Sequence, residues 1–381
     1  LPEILAANQN HLGFMLPYTP LHLLLLEPEP DFPEVFVMTS GNISEEPIAH
    51  EDEDAFNRLS PLVDGFLTHN RSIHTRVDDS VVRIFEDRPY PIRRSRGYAP
   101  NPIVLPGKVP EMLACGAELK NTFALSRENY AFVSHHIGDL ENYETLRAFE
   151  SGIAHFQRLF RINPELIVSD LHPDYLSSTY ATSRAQKDEL PLIKVQHHHA
   201  HLASCLVDNH WDSSEPVIGI ILDGTGYGSD GSIWGGEFLL GNYAGFSRPF
   251  QLEPVPLPGG DSSIRQPAKT GLSYLAFAGI PLENDIPPVS HFSRDTLILL
   301  QSQLSHGINC PMTSSMGRLF DAVSSIIGMR QTVTYEAQAA IDLENCCDKS
   351  EKGCYTYSFE DDLINTRSII KEIVEDWRRK E

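Results

Sequence analysis

The sequence predicts an α/β protein in which apolar strands end on polar or glycine-rich junctions. The run Leu192–Val195 stops at a histidine cluster and then continues with helical spacing. A second run, residues 217–222, ends on Asp223 and is followed by three glycines. Earlier in the chain, residues 143–160 place their large apolar side chains on one helical face, which predicts a buried helix. Because open α/β sheets bind ligands where strands end, the two junctions are predicted to form one site.

The histidine cluster has the spacing of a metal site. His197 and His201 stand at i and i+4, and helix residues four apart share a face with Cβ atoms about 5–6 Å apart. Both imidazoles can therefore reach one ion, as two histidines do in HExxH metalloproteases. His198 is a second choice at i+3, and His199 is expected to point elsewhere.

Asp223 supplies the carboxylate of this predicted site. It lies 22 residues after His201 and directly follows an apolar run. Strand, acid, glycine turn and a second strand from Ile233 predict a hairpin whose backbone approaches a phosphate or metal closely. The alternatives are a structural histidine and an ordinary Asp-Gly turn. Two histidines with one carboxylate suit zinc and iron alike.

Composition excludes some classes of function. The 30 basic and 52 acidic residues give a formal net charge of −22, and nucleic-acid binding normally requires a basic patch. The 381-residue chain is longer than a usual single core. Six cysteines show no CxxC pair, and no stretch approaches the roughly 20 apolar residues of a membrane span. We therefore expect a multidomain cytoplasmic protein with reduced thiols and no nucleic-acid or membrane partner.

Residues 1 to about 100 form one compositional unit with candidate phosphate-binding side chains. The apolar run at residues 35–38 is predicted to be a strand that leads into small polar residues, which donate hydrogen bonds at little steric cost. Arginines in the later part of this unit suit bidentate phosphate recognition. The alternatives are an ordinary capped turn and solvated charge on a strand edge. The small polar candidates are Thr39, Ser40, Gly41, Asn42 and Ser44, and the candidate arginines are Arg71, Arg76, Arg93, Arg94 and Arg96.

Prolines at positions 100, 102 and 106 mark a linker to a second part. Residues 112–133 then read as strand, turn, strand, strand, with Lys120 and Asn121 in the first turn. About 105 residues later, residues 217–242 repeat the order of strand, turn with glycine and acid, and strand. Two such strand–turn–strand segments predict two similar lobes that face each other across a cleft, as in the actin/Hsp70-like ATPases.

A helix within residues 314–328 carries one further candidate. Leu319, Phe320, Val323 and Ile327 are predicted to be buried, while Gly317 and Asp321 are predicted to lie on the polar face. The helix is predicted to be capped near Ser314 or Ser315. Asp321 could hold a ribose or a cation. The alternative is a solvated helix acid.

These motifs, taken in order, resemble those of the HypF family, the carbamoyltransferases of [NiFe]-hydrogenase maturation. The resemblance covers nearly the whole chain. Matching segments include MTSGNISEEPI, HNRSIHTRVDDSVVR, RRSRGYAP, LKNTF, VQHHHAH, DGTGYGSDGSIWGGE, PLPGGD and SSMGRLFDAV.

The resemblance implies an α/β fold with an α+β YrdC-like part and an actin/Hsp70-like two-lobed ATPase-fold domain. Residues 1–103 would be the C-terminal part of a YrdC-like domain that forms carbamoyl adenylate. Residues 108–381 would be a TsaD-like carbamoyl-transfer domain, with lobe I at about 108–215 and lobe II at about 216–381. Family members carry further segments beyond both ends, so we expect the sequence to be incomplete on each side.

The resemblance also implies an activity and its partners. The protein would use ATP with Mg²⁺ and carbamoyl phosphate to make carbamoyl adenylate, and would pass the carbamoyl group to the C-terminal cysteine of a HypE-type protein. Two alternatives stay open: an O-carbamoyltransferase that acts on a small-molecule hydroxyl, and a non-catalytic scaffold that binds nucleotide and metal.

Each implied role falls on residues of this sequence. The adenylation pocket would be lined by Thr39, Ser40, Asn42, Ser80, Arg94 and Arg96. A divalent metal, zinc or iron, would be held by His197, His201 and Asp223. Carbamoyl transfer would involve Lys120, Asn121 and Asp223. The nucleotide and substrate of the second domain would be bound by Gly224, Gly226, Gly235, Gly236, Glu237 and Asp321.

Overall fold

The structure is a computed structural model that describes residues 5–6, 9–44, 46–348 and 350–379. Contacts divide the chain into two compact units. One comprises residues 14–195, and the other comprises residues from 196 onward together with the described residues before 14. Each unit contains its own sheet and core. Within the described residues, no helix is both long and apolar enough to cross a membrane.

The first part of unit 14–195 holds two helices and a hairpin. The elements are α1 (Pro20–Leu25), α2 (Asp52–Leu59), a 3₁₀ turn (Ser60–Leu62), β1 (Val81–Phe85) and β2 (Arg88–Arg93). Strands β1 and β2 pair antiparallel. Glu86 and Asp87 between them have φ of 48° and 60°, the positive values that a tight two-residue hairpin turn needs.

The predicted strand at residues 35–38 is wrong. No strand is assigned at these residues, and Val35 and Val37 are 79% and 68% exposed. β-Propensity alone does not make a strand, because an extended segment also needs a neighbouring strand to satisfy its backbone groups. No such pairing forms here among the described residues.

A five-stranded sheet forms the rest of this unit. Its strands are β3 (Ile103–Val109), β4 (Met112–Ala114), β5 (Ala124–Val133), β6 (Leu166–Asp170) and β7 (Leu192–Val195), in the order β3-β5-β4-β6-β7. Strands β4, β6 and β7 are parallel, and β5 is antiparallel to β4. The two strands predicted after the first turn are one continuous strand, β5.

Two helices, α3 (Tyr143–Phe160) and α4 (Leu176–Asp188), complete the unit. Helix α3 confirms the predicted apolar helix. It begins where the Asn142 side chain accepts a hydrogen bond from Thr145 N and ends at Arg161, whose φ of 55° is left-handed. Its face buries Phe149, Ile153 and Phe156, which are 0 to 4% exposed.

The second unit is built on a seven-stranded sheet. Its strands are β8 (Val217–Tyr227), β9 (Ile233–Asn242), β10 (Gly245–Leu252), β11 (Val255–Pro256), β12 (Met312–Thr313), β13 (Ser358–Glu360) and β14 (Leu363–Asn365). Its helices are α5 (His197–Asp208), α6 (Asp261–Arg265), α7 (Pro267–Phe277), α8 (Pro287–His291), α9 (Arg294–His306), α10 (Met316–Ile326), α11 (Gln338–Cys346) and α12 (Arg367–Arg379). The core lies among α7, α10 and α12, with Leu272, Leu275, Ala322, Ile326 and Ile370 nearly inaccessible.

Strand β8 differs from its prediction in two ways. It does not end at Asp223 but continues to Tyr227, and the turn lies at residues 228–232, where Gly228 N donates to Ser232 O at 2.9 Å. It is also not buried, because Ile218 and Leu222 are 75% and 55% exposed. Gly224 and Gly226, which predicted a turn directly after Asp223, lie within an irregular stretch of this strand, and only Gly228 belongs to the turn.

Candidate metal centre

Helix α5 presents the two predicted histidine ligands on one face. Its N-cap is Gln196, whose side-chain oxygen accepts from His199 N at 2.9 Å. One helical turn then brings His197 and His201 together, with Nε2 atoms 3.2 Å apart. The predicted i, i+4 pairing of these two side chains in space is therefore found in the structure.

Asp223 joins the histidines from the neighbouring strand β8. Its Oδ2 lies 3.4 Å from His197 Nε2, and one ligand atom from each of His197, His201 and Asp223 lies within 4.8 Å of the others. Zinc–nitrogen bonds of about 2.0–2.1 Å place tetrahedral ligand atoms about 3.3 Å apart. The separations of 3.2 and 3.4 Å match that edge, and the third pair of ligand atoms lies within 4.8 Å, so the three side chains are close enough to share one first-row ion.

The charge state of Asp223 suits a ligand. Burial raises the pKa of this carboxyl, but hydrogen bonds from His197 and His198 outweigh burial and hold the pKa well below its usual value. A metal ligand must be deprotonated, and Asp223 meets that requirement at neutral pH. These three side chains would fill three of the four positions that zinc usually takes. The same set of two histidines and a carboxylate also suits iron(II).

The other two histidines of the cluster have different partners. His198 is fully buried, and its Nε2 lies 3.2 Å from Asp223 Oδ2. His199 turns away and its Nε2 contacts Asn242 O at 2.8 Å, as predicted from its helical position. His198 therefore faces the carboxylate of the site.

Most of the glycines around Asp223 are required by close packing. A Cβ on Gly226 would lie 2.4 Å from His198 Cε1, and one on Gly235 would lie 2.5 Å from Asp223 O. A Cβ on Gly236 would meet Ser314 O at 2.4 Å, whereas a Cβ on Gly224 would have none of the described atoms within 4 Å. Three of the four glycines that were predicted to approach a nucleotide thus also permit close packing between neighbouring segments of the protein.

Glu237 lies in a buried polar network. It is inaccessible to solvent, and its Oε1 accepts from Gly235 N at 3.2 Å and from the Ser314 hydroxyl. Its Oε2 pairs with Arg248 Nη1 at 3.2 Å. Arg248 also pairs with Asp230 at 2.8 Å and lies 3.9 Å from the ring centroid of Trp234. These contacts fix the β9 side of the Asp223 junction. No local sequence pattern identified Arg248 as a residue that supports the site.

Helix α10 fixes Asp223 from the other direction. Its N-cap, Ser315, donates its hydroxyl to Asp223 O at 2.8 Å or Gly224 O at 2.7 Å and accepts from Arg318 N at 3.2 Å. The sequence predicted the cap but not its contact with residues 92 and 91 positions away. Ser315 is thus a supporting residue that the sequence offered as one of two possible caps but could not connect to the site.

Asp321 does not lie on a polar face. It is 3% exposed, and its Oδ2 lies 2.8 Å from Arg318 Nε, although neither atom has hydrogen-bond geometry. Burial raises the pKa of Asp321 to about 6, and the nearby Arg318 charge opposes this shift. The predicted exposed position is wrong because α10 is enclosed by α7, α8, α11 and α12. Its role toward a nucleotide stays a prediction.

Lys120 and Asn121 occupy the turn before β5 in the other unit. Lys120 is exposed, has φ of 49°, and its backbone N donates to Asp139 Oδ1 at 2.6 Å. Asn121 is 1% exposed, and its side-chain nitrogen donates to Cys115 O at 3.0 Å and Ala117 O at 2.6 Å. Its Oδ1 is buried and has no hydrogen-bond partner among the residues that the structure describes. Asn121 therefore closes the turn, and Lys120 presents its side chain at the turn surface.

The N-terminal candidates fall into two groups. Thr39, Ser40 and Asn42 lie on an exposed loop, where Asn42 Nδ2 donates to Ile43 O at 2.9 Å.

The second group consists of Ser80, Arg94 and Arg96, which tie one segment together. Ser80 Oγ donates to Arg96 O at 2.9 Å and accepts from Ser95 N at 2.8 Å. Arg94 donates to three backbone carbonyls, those of Val133, Tyr98 and Asn101, at 3.2, 3.1 and 2.6 Å. Arg96 pairs with Asp79 at 3.0 Å. Their predicted nucleotide contacts remain predictions.

Comparison with known families places these elements in a known class of enzyme domains. The Sua5/YciO/YrdC model, described as telomere recombination, matches residues 1–95. The HypF Kae1-like domain matches residues 107–208. The second subdomain of the carbamoyltransferase Kae1-like domain matches residues 219–381. The chain thus combines a YrdC-like part with a Kae1-like carbamoyltransferase domain.

Relatives and solved structures agree with this class. Carbamoyltransferase HypF of Rhodobacter capsulatus is 43% identical over 353 residues, which is 91% of this chain and 46% of the relative. HypF of Synechocystis sp. is 42% identical over 359 residues, 90% of this chain and 46% of the relative. The crystal structure of full-length HypF in a phosphate- and nucleotide-bound form matches with a TM-score of 0.89 at 41% identity, covering 99% of this chain and 49% of that one. T. kodakarensis HypF matches with a TM-score of 0.90 at 34% identity, over 98% of this chain and 50% of that one.

The chain belongs to the HypF carbamoyltransferase family. It spans about half the length of the curated relatives it matches. The predicted α/β fold class, with a YrdC-like part before a Kae1-like domain, is confirmed.

Proposed function

We propose that this chain takes part in ATP-dependent carbamoyl transfer during [NiFe]-hydrogenase maturation. Residues 1–103 would contribute to forming carbamoyl adenylate from carbamoyl phosphate and ATP with Mg²⁺. Residues 108–381, with lobes at about 108–215 and 216–381, would pass the carbamoyl group to the C-terminal cysteine of a HypE-type protein. Family membership supports the reaction class, and a solved relative with bound phosphate and nucleotide supports the use of ATP.

The observation that carries the proposal is the convergence of His197, His201 and Asp223. These residues would hold a divalent metal, zinc or iron, and the chemistry of such an ion is to polarise a carbonyl and bind phosphate oxygens. Asp223 is kept ionised by its histidine neighbours, so its carboxylate is already in the deprotonated form that a metal ligand requires.

The transfer step needs a thiol, and two of this chain's cysteines are poorly suited to supply one. Burial raises the pKa of the Cys115 thiol to about 12 and also raises that of Cys310. Because the thiolate is the nucleophile, burial makes both thiols weaker nucleophiles at neutral pH. The exposed Lys120 would provide a positive charge for the leaving phosphate, since charge that develops in such a step needs fixed donors.

The proposal is tested by incubating the protein with ATP, Mg²⁺, carbamoyl phosphate and a HypE-type protein, and by following the intact mass of the acceptor. We expect one added carbamoyl group, and none on an acceptor whose C-terminal cysteine is replaced by serine. Carbamoylation of an added small-molecule hydroxyl, with the protein acceptor unmodified, would instead favour O-carbamoyl transfer. Nucleotide binding without any transfer would favour a scaffold.

A second measurement separates the two half-reactions. Carbamoyl-phosphate-dependent ATP/pyrophosphate exchange should fall with Asn42→Ala or Arg96→Ala and persist with His201→Ala. Loss of exchange in the His201 variant would reject the assignment of adenylation to the N-terminal residues.

A further inference from the structure

The second histidine of the cluster has a defined contact on each side of its ring. Its Nε2 lies 3.2 Å from Asp223 Oδ2, and its Nδ1 lies 3.4 Å from Gln196 Nε2. We propose that His198 is a positioning residue, which donates an Nε2–H hydrogen bond to Asp223 and so fixes this carboxylate toward His197 and His201. This inference rests on the proposed metal site and adds a residue to it.

The orientation of Gln196 determines where the ring proton of His198 lies. Gln196 Oε1 accepts from His199 N at 2.9 Å, and Gln196 Nε2 donates to Tyr227 O at 3.3 Å. A backbone N–H requires an acceptor and a backbone carbonyl requires a donor, so these two contacts independently set the amide. Its remaining N–H therefore faces His198 Nδ1, which must accept. The ring proton then lies on Nε2, where it points at Asp223.

The protein also fixes the plane of the His198 ring. The side chain is fully buried and stacks on Trp234, with ring centroids 6.0 Å apart and an interplanar angle of 22°. On strand β8, Gly226 leaves room for it, since a Cβ there would lie 2.4 Å from His198 Cε1. The indole of Trp234 is itself anchored by a 2.9 Å hydrogen bond to Asp230. The imidazole thus has little freedom to turn toward another partner.

The consequence for Asp223 is that both carboxylate oxygens are constrained. Oδ1 accepts from Gly224 N at 2.7 Å, and Oδ2 faces the two histidines. A ligating carboxylate that is hydrogen-bonded by a neighbour binds metal more tightly, and the loss of such a neighbour typically lowers affinity about 10–100-fold. His198 uses both ring nitrogens for these contacts, so its assigned role excludes direct ligation.

In the experiment, metal-free protein is titrated with Co²⁺, and the Co²⁺ d–d absorption band is followed to obtain the Co²⁺ affinity. We expect His198→Leu to bind about 10–100-fold more weakly than the natural sequence. In His198→Gln an amide N–H can replace the imidazole donor, so affinity should recover to within about tenfold. His199→Gln is the matched control, because His199 contacts Asn242 O rather than the site, and its affinity should be unchanged.

His201→Ala separates the two levels of the argument. Co²⁺ affinity unchanged in His201→Ala would reject the proposed metal site itself. Loss of binding in His201→Ala with unchanged affinity in His198→Leu would overturn only the positioning role. If His198→Leu fails to fold by circular dichroism, the long-range ¹H–¹⁵N spectrum of histidine-labelled natural protein decides. A proton on Nε2 of His198 supports the inference, and a proton on Nδ1 overturns it.

Discussion

Replacing Asp321 by asparagine is expected to change how the stability of the protein depends on pH. Asp321 is 3% exposed on helix α10, and burial raises the pKa of its carboxyl from 3.8 to about 6 despite the nearby Arg318 charge. An acid whose pKa is higher in the folded state binds more protons folded than unfolded between these two values. Stability from this group is therefore full below about pH 4 and is lost as pH rises through about 6.

The magnitude follows from the size of the shift. A difference of about 2.2 pKa units corresponds to about 3 kcal/mol in total. About 1.4 kcal/mol of this change falls between pH 5 and pH 7.5, where other carboxylates are mostly ionised in both states. In the asparagine variant this contribution is absent. Arg318 remains charged at both pH values, so the loss of its ion-pair partner shifts the variant by a constant amount.

The assay is urea unfolding of the natural protein and Asp321→Asn at pH 5 and pH 7.5. The difference in unfolding free energy between the two proteins should change by about 1.4 kcal/mol, with the natural protein relatively less stable at the higher pH. A difference that is the same at both pH values would refute the reasoning, because Asp321 would then ionise as it does in the unfolded chain.

Three further predictions concern other residues. Burial lowers the pKa of His135 to about 4, with nearby positive charges adding to the shift, so stability from this group is present above about pH 6.5 and lost toward pH 4. His135→Gln should remove about 3 kcal/mol of that dependence in urea unfolding, and parallel pH profiles would contradict it. Gly226→Ala should weaken Co²⁺ binding at least tenfold, because its Cβ would collide with His198. Gly224→Ala should leave Co²⁺ binding unchanged, because a Cβ at this position has open space around it. Equal affinities in the two variants would reject the packing argument. Lys120→Ala should leave metal binding and pyrophosphate exchange near normal but slow carbamoylation of the acceptor cysteine about 10²–10³-fold, and transfer at the natural rate would make it an ordinary surface lysine.

Features that depend on local spacing were predictable from the sequence. The apolar period of residues 143–160 gave the bounds of α3, because burial of one helical face requires that period. The i, i+4 spacing of His197 and His201 likewise determined that their side chains meet, once α5 began at His197. Neither feature needs information from distant parts of the chain.

Features that depend on distant partners were not predictable in the same way. The run at residues 35–38 has strand composition, but no strand pairs with it among the described residues. Asp321 resembles a solvated helix acid, and only the packing of other helices buries it. Ser315 and Arg248 support the site through residues far along the sequence. A single sequence contains no local signal for such contacts.

The glycine-rich stretch after Asp223 forms a bulge within strand β8 rather than a turn. Leu222 pairs with Gly236 and Gly226 pairs with Trp234, so residues 223–225 face the single residue Gly235. Such a bulge re-aims side chains while pairing resumes on both sides. Asp223 is consequently held within a strand that is paired before and after it, and Ser315 anchors its carbonyl. A carboxylate at a free strand end would move with the turn, whereas this one should keep its direction toward α5 when ligands are absent. The strand must therefore continue past Asp223 if the site is to be formed in advance, which accounts for the turn at residues 228–232 rather than directly after the acid.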